Sequence, residues 1–514
     1  MKGGVLNSPS YQRLRVPSYT RQDLSMTRQD LGRLALLATL CWIIYGIGIS
    51  DRGLVGPDEP RYAAVAHEMA ASGDWVTPRL WGEPWFEKPA LLYWMGALGE
   101  FAGISGDLAI RVPVALLSFV FLVAFYVLIR RVFGQQDADG AALVLASAAG
   151  WAAYSQVGVF DLPLAAATGL ALMALLPWVE NPREKRLLPL FGAALGFGLL
   201  AKGLVAPAIA TLAVLSVCRD RGVGPVARDL FSARTLVPFA AVTLPWYGLC
   251  YWRNGTAFLE EFVWRHHVLR IFSSELQHEQ AWWFYIPVIL LGLAPWTPLV
   301  ASAVVLTDWR GDPRMRFLGA WALSTLAIFS VSTNKLPGYV LPAIPPLCLI
   351  AGRNLRRAPV WAWAGSGLML CLFPVAAAVL PAALADGLPA AWPPDSTAWL
   401  PIAGFLALAV GVGIASAAAK PTLATALVAV GAAVGYWNLK SLTFSNLDAV
   451  AGSRSVWVER SNVVNSTCIG DVRRHVEYGL RYYSDDRLRP CAVDPRPFAL
   501  NGDPPRREPT SKPN

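Results

Sequence analysis

The sequence predicts an all-α integral membrane protein crossed by about 13 helices, and three observations carry that prediction. Hydrophobic residues make up 55% of the 514 positions and charged residues only 15%, against about 25% charged in a soluble domain. The apolar residues fall in long uncharged runs, most of them near the length of a bilayer-spanning helix. Most of the Lys and Arg residues sit between those runs or at their ends. The same numbers exclude a soluble enzyme, a disordered chain and a small secreted domain held by disulfides. The net charge of +9 is loop charge at a membrane and calls for no nucleic acid.

In chain order the runs are 33–50, 109–130, 138–156, 162–180, 187–201, 203–218, 234–252, 282–306, 315–332, 337–351, 359–384, 398–417 and 422–441. Residues 1–32 are arginine-rich, lack an apolar segment of their own and read as a cytoplasmic arm. In that orientation the inner connections hold 22 Lys and Arg, and the outer ones before the tail hold nine. The positive-inside rule therefore orients the chain. Residues 33–441 form the membrane domain, with long first and fourth outer connections at 51–108 and 253–281. The odd number of spans sends the tail, 442–514, outside. The apolar stretch 89–104 is short for a span and reads as a re-entrant or interfacial helix. The run 187–218 divides at Lys202-Gly203, because one continuous helix would bury a lysine near the bilayer centre at a cost of several kcal/mol.

Transporters place ionisable groups at mid-membrane on broken helices. Here the ionisable residues gather in the outer connections instead, which describes a chemical site at the outer membrane surface. The first connection carries nine acids and four bases, and the fourth carries three of the five histidines, His266, His267 and His278. In Asp58-Glu59-Pro60-Arg61-Tyr62, Asp58 is the expected N-cap of an amphipathic helix Pro60–Ser72 with Pro60 at its first helical position. A Gly73-Asp74 turn follows, and Phe86-Glu87-Lys88-Pro89 leads into 89–104. Taken singly, each residue has a plain role. Lysines at helix ends snorkel, and Trp75, Trp81, Trp85 and Trp94 suit interfacial anchors. Together they are harder to explain that way.

The cluster resembles the first loop of lipid-phosphate-sugar glycosyltransferases with the GT-C fold, the branch shared by bacterial aminoarabinose (lipid A) transferases and protein O-mannosyltransferase relatives. The matching runs are Asp58–Tyr62, Gly73-Asp74-Trp75-Val76-Thr77-Pro78-Arg79 and Phe86–Pro89. Phe160-Asp161, Ala201-Lys202-Gly203, the block from Trp282 to Pro298 and Asn334-Lys335-Leu336-Pro337-Gly338-Tyr339 continue it in order, so that it covers roughly 33–352. The resemblance implies an inverting transfer of a sugar from a polyprenyl (undecaprenyl) phosphate to a periplasmic acceptor at the bacterial inner membrane. The aminoarabinose branch implies 4-amino-4-deoxy-L-arabinose as the sugar and a lipid A phosphate as acceptor. Hexosyl or mannosyl transfer to protein or glycan hydroxyls is the alternative within the class. A polyprenyl-lipid transporter or flippase is the alternative outside it.

A donor of this kind leaves a phosphate that gathers negative charge, which Lys and Arg can bind. Lys88, Lys202, Arg270 and Lys335 are the candidates, with Tyr339 as a further donor and Arg61 and Tyr62 beside the substrate. A hydroxyl acceptor needs a carboxylate as general base. Asp58 is the first candidate, Asp161 the second, and Glu59 supports them. The resemblance requires no cofactor and allows a structural zinc, for which Glu87 with His266 or His267 are the candidate ligands. The implied partners are the lipid-phosphate sugar, lipid A or another periplasmic acceptor, and membrane lipids.

The polar tail reads as a small α/β unit without a catalytic residue. Ser455–Val458 and Cys468–Val472 are strand-like, and Arg473–Tyr483 reads as helix. Five cysteines lie in or beside spans and serve as small core residues. Cys468 and Cys491 are the two in the tail, and an oxidising compartment would join them.

Overall fold

Backbone placed in hydrocarbon must satisfy its own hydrogen bonds, and a helix does so within one segment. The computed structural model describes residues 27–262, 280–386, 399–502 and 505–510. In it each predicted run becomes a helix or a short series of helices. The first is α1 (Arg28–Cys41), whose start is closed by a reciprocal capping box between Thr27 and Asp30. The outer connection then builds α2 (Asp58–Ser72), a two-stranded hairpin of β1 (Arg79–Leu80) and β2 (Glu83–Pro84), and α3 (Leu91–Phe101). The helix expected at 89–104 is thus α3, 11 residues long and packed on α2.

The membrane domain continues with α4 (Leu108–Phe133), α5 (Gln135–Ser147), α6 (Ala149–Tyr154), α7 (Asp161–Ala174) and α8 (Leu176–Glu180). Next come α9 (Leu188–Lys202), α10 (Val205–Arg221), α11 (Val223–Leu230) and α12 (Ala233–Leu259). The break expected after Lys202 is present: Gly203, at φ 64°, ends α9. α9 also lies close against α12, because a Cβ on Gly192 would meet the Thr235 carbonyl oxygen at 2.1 Å. Beyond residue 280 follow α13 (Tyr285–Gly292), α14 (Thr297–Leu306), α15 (Pro313–Val331), a 3-10 turn at Pro337–Ala343 and α16 (Ile344–Asn354). The last apolar helices are α17 (Val360–Met369), α18 (Leu372–Asp386), α19 (Trp399–Ala417) and α20 (Pro421–Ala451). Among the described residues five helices are long and apolar enough to cross a membrane, or six when α13 and α14, bent by 104°, count as one span. The chain is a multi-pass membrane protein.

The tail contains α21 (Ser453–Arg460), β3 (Thr467–Ile469), α22 (Arg474–Tyr483), β4 (Phe498–Asn501) and β5 (Arg506–Pro509). β3 pairs parallel with β4, and β4 pairs antiparallel with β5. Cys468 and Cys491 form the expected disulfide. One expectation is corrected: Ser455–Val458 is helical, not extended. Its β-branched residues favour a strand only weakly. Packing on α22 overrides that preference, so closely that a Cβ on Gly479 would meet Ser453 Oγ at 2.2 Å.

Candidate active site

α2 starts at Asp58, two residues before the Pro60 that its sequence predicts as the first helical position. Pro57 occupies the cap position, and no side chain caps the end. Asp58 is therefore not the N-cap, and its carboxylate instead accepts a hydrogen bond from Arg61 Nη2 at 2.5 Å, one turn along the helix. The other arm of Arg61 lies 3.0 Å from Glu87 Oε2, and Lys88 Nζ donates to Glu87 Oε1 at 2.8 Å. Asp58, Arg61, Glu87 and Lys88 thus form a chain of alternating charge. Arg61 and Lys88 are buried and Glu87 is partly buried, while Asp58 is 39% exposed, so Asp58 is the open end of the chain. Rings of Tyr62, Trp85 and Tyr478 surround the Arg61 guanidinium at 5.2, 5.4 and 5.9 Å. Burial works against the Arg61 charge, but Tyr62, Glu87 and Asp58 more than offset it and raise the group above its ordinary value.

Glu59 has a different place from its neighbour. It is fully buried and accepts from Arg111, from the Gly158 N–H at 2.8 Å and from the Val55 N–H at 2.9 Å. Arg111 also donates to the carbonyls of Ile49, Arg52 and Gly53. Glu59 thereby locks the start of α2 to α4 and to the connection before α7, with its carboxylate wholly enclosed.

A second cluster begins at Asp161, the first residue of α7. Lys202, the last residue of α9, donates to Asp161 Oδ1 at 2.7 Å and lies 4.0 Å from the Tyr339 ring centroid. Gly338 makes that approach feasible, since a Cβ there would lie 2.7 Å from Asp161 Cγ and 2.6 Å from Tyr154 Cε1. Lys335 is buried and donates to the carbonyls of Ser332 at 2.5 Å and Gln280 at 3.1 Å, which uses two of its three N–H bonds. Phe160 joins the clusters, with its ring edge-on to Tyr62 at 4.9 Å and to Tyr93 at 5.3 Å. Tyr154 lies within electrostatic reach of both Asp161 and Asp58. On the far side of Glu87 a cavity of about 310 Å³ is lined by Trp85, Phe86, Glu87, Ala257 and Glu261 among others.

Of the residues predicted from sequence, the structure brings Asp58, Arg61, Tyr62 and Lys88 into the first cluster with Glu87. It brings Asp161, Lys202 and Tyr339 into the second. Arg270, His266 and His267 lie outside the described residues. Among the described residues no group of three or more His, Cys, Asp or Glu could hold a metal ion. Both Glu87 oxygens face cations, Arg61 and Lys88, and in this arrangement the carboxylate does not fit a zinc ligand. Sequence reasoning missed Asn334, which is 5% exposed with neither amide atom hydrogen-bonded among the described residues. It lies beside Lys335 in a motif that was already visible. Tyr154 and Tyr478 were missed too, and no local signal marks either.

The sequence profile of the dolichyl-phosphate-mannose-protein mannosyltransferase family matches residues 87–251. The chain superimposes on the crystal structure of ArnT from Cupriavidus metallidurans with a TM-score of 0.72, covering 90% of this chain and 86% of that one at 24% identity. This chain has the GT-C fold. The undecaprenyl-phosphate-bound form of that ArnT gives a TM-score of 0.73 at the same identity and covers 88% of that chain. The chain is similar in sequence to the undecaprenyl phosphate-α-4-amino-4-deoxy-L-arabinose arabinosyl transferase of Pseudomonas paraeruginosa, 33% identical over 358 residues. That match covers 67% of this chain and 64% of the Pseudomonas protein. The Yersinia enterocolitica protein of the same name is 32% identical over 326 residues, 62% of this chain and 58% of that one. The GT-C chain thus resembles aminoarabinose transferases and protein O-mannosyltransferase relatives, as its first loop indicates.

Proposed function

We propose that this chain is an inverting glycosyltransferase that moves a sugar from undecaprenyl phosphate to an acceptor at the outer face of the bacterial inner membrane. The observation that carries this reading is Lys202, held between Asp161 and the Tyr339 ring next to the Asp58–Arg61–Glu87–Lys88 chain. A fold with this arrangement offers cations for a lipid phosphate and an exposed carboxylate for an acceptor. The Pseudomonas paraeruginosa and Yersinia enterocolitica relatives, by their names, transfer 4-amino-4-deoxy-L-arabinose. That sugar, with a lipid A phosphate as acceptor, is therefore the specific form of the reading.

Transfer forms a bond from the acceptor oxygen to the anomeric carbon and breaks the bond from that carbon to the donor phosphate. The leaving phosphate carries the electron pair away. Lys202 and Lys88 stabilise its charge by exchanging their present carboxylate partners for phosphate oxygens, and Lys335 and, from the sequence alone, Arg270 are the further candidate cations. A hydroxyl acceptor gives its proton to Asp58. A phosphate acceptor is already ionised, and Asp58 then orients it or offsets positive charge on the sugar ring. No step runs through a metal. A structural zinc on Glu87 with His266 or His267 would first have to displace Arg61 or Lys88, and metal analysis of the purified protein tests it.

The full topology in this reading has 13 spans with the tail outside. A reporter fused after Asn446 should read outside, and one within 219–234 inside. If both read on one side, the topology is wrong. The activity is tested with purified protein in detergent, a set of undecaprenyl-phosphate sugars and lipid A. A flippase makes no new glycosidic bond, so a labelled acceptor separates the two classes. Transfer of hexose but not aminoarabinose would favour the mannosyltransferase alternative.

A further inference from the structure

A second cavity, of about 240 Å³, lies between the first outer connection and the C-terminal unit. Its floor is the β1–β2 turn, where Trp81 at φ 58° and Gly82 at φ 84° occupy the two central positions. Such two-residue turns favour Asn, Asp or Gly at both places, and a tryptophan there is strained. Glu68 from α2 holds the turn in place, accepting from the Trp81 N–H at 2.5 Å and the Gly82 N–H at 2.9 Å. The opposite wall carries Asp485 at φ 53° and Asp486 at φ 54°. Among the described residues four non-glycines have positive φ, and three of them line this one cavity. Backbone of this kind persists where the surrounding structure holds it, and it clusters at functional sites.

The groups presented there are of both kinds. Arg481 lies 4.1 Å from the Trp81 ring centroid, and Arg481 and Arg489 both pair with Asp486. The Asp485 carboxylate is 81% exposed, with His67 Nε2 at 3.5 Å. The Trp81 indole N–H is buried without a hydrogen-bond partner among the described residues. Acids offset bases, so the cavity is not built for a bare phosphate. The lining has little aliphatic surface, so it is not built for an acyl chain. An aromatic face ringed by donors and acceptors suits a polyhydroxylated ring, and the volume lies just below the usual range of ligand pockets.

The cavity also continues the candidate active site. Along α2, Asp58, Arg61 and Glu68 recur at helical spacing, and Arg61 to Glu68 is about 10 Å of helix. Along α22, Tyr478 faces Arg61, while Arg481 and Tyr482, one turn on, line the cavity. We infer that this cavity is an acceptor subsite that holds a saccharide ring next to the group glycosylated at Asp58. The inference rests on the glycosyltransferase reading above and assigns its acceptor to the glycolipids rather than to proteins.

The test uses the full chain and two variants, Trp81→Gly and Asp485→Gly. Glycine accepts the left-handed backbone, so Asp485→Gly should unfold thermally at or above the wild-type temperature, while Trp81→Gly, which also gives up its packing and the Arg481 contact, should unfold somewhat lower and is compared only where circular dichroism shows it folded. With lipid A, a phosphorylated disaccharide lipid, the acceptor KM should rise about tenfold in each, the worth of one or two hydrogen bonds. The kcat and donor KM should stay within about twofold on the same reasoning. With a monosaccharide lipid phosphate, which ends at Asp58, wild type and variants should agree. A separate binding measurement with a soluble glucosamine disaccharide should show saturable binding lost in both variants. Unchanged acceptor KM and unchanged disaccharide binding, or equal losses with both acceptors, would overturn the subsite. Disaccharide binding that the variants lose, in a protein that transfers no sugar, would instead sink the glycosyltransferase reading and leave the saccharide site standing.

Discussion

Glu59 and Arg111 meet as a two-pronged ion pair, Nε to Oε1 and Nη2 to Oε2 each at 2.7 Å, with both side chains fully shielded from solvent. Removing one partner of such a pair leaves a buried charge unpaired and costs about 3–5 kcal/mol. Glu59→Ala should therefore unfold at a markedly lower temperature and lose activity with its fold, which circular dichroism and transfer assays can follow together. Burial by itself would raise the Glu59 pKa, but Arg111, Arg52 and the Gly158 N–H bring it below the ordinary value. The stabilisation is then complete above about pH 4.3, the unfolded glutamate value, and is lost as pH falls through the lower folded value. Wild-type stability should fall over that acid range, and the fall should be shallower in Glu59→Gln.

Asp58→Asn should leave the fold intact, because Arg61 keeps its second partner, Glu87. Transfer to a hydroxyl acceptor should drop by about two to four orders of magnitude, the range of a positioned acid–base group. Transfer to a phosphate acceptor should drop less. Donor binding measured separately should be unchanged, and wild-type turnover by Asp58→Ala would remove Asp58 from the mechanism.

Lys88→Ala and Lys202→Ala should weaken binding of undecaprenyl phosphate far more than Arg506→Ala, an exposed position on β5. Charge-assisted bonds in a shielded site are worth about 1.5–3 kcal/mol, and exposed pairs under about 1 kcal/mol. Equal losses at all three positions would mean general attraction to an anionic lipid. Lys335→Ala is expected to act partly through folding, since its ammonium holds two backbone carbonyls.

The Cys468–Cys491 bridge closes a segment of 23 residues, and in the chain-entropy model its loss should destabilise the C-terminal unit by about 3 kcal/mol. The double serine variant should show faster proteolysis of 467–502. Neither cysteine should react with a thiol reagent in the folded wild type before reduction. Tyr483 accepts from the Leu54 N–H at 2.8 Å and donates to Asp107 at 2.9 Å, which ties this unit to the first outer connection. Loosening the unit should therefore lower transfer activity as well. Full activity in a demonstrably loosened variant would show the two to be independent.

Much of the site was legible in the sequence because its residues lie at helix ends. Asp58 and Arg61 are one turn apart on α2, while Asp161 and Lys202 bound helices set by apolar run length. What local pattern could not separate was Asp58 from Glu59. They are adjacent, carry the same charge and differ in role only because Arg111 arrives from α4 to pair with one of them. The N-cap role expected of Asp58 failed for a related reason, since Arg61 competes for the same carboxylate.

The sequence by itself determined the membrane class, which apolar runs become helical and the place of most charges. Those depend on local rules: an apolar run must close its own backbone hydrogen bonds, and ionisable groups stay out of hydrocarbon. Tertiary structure alone decided which charges pair, how α22 lies along α2 with Tyr478 against Arg61 and Arg481 against Trp81, and that Ser455–Val458 is helical. Each of these is a contact between segments far apart in the chain. Its free energy exceeds the local preference it overrides, and nothing in the local sequence records it.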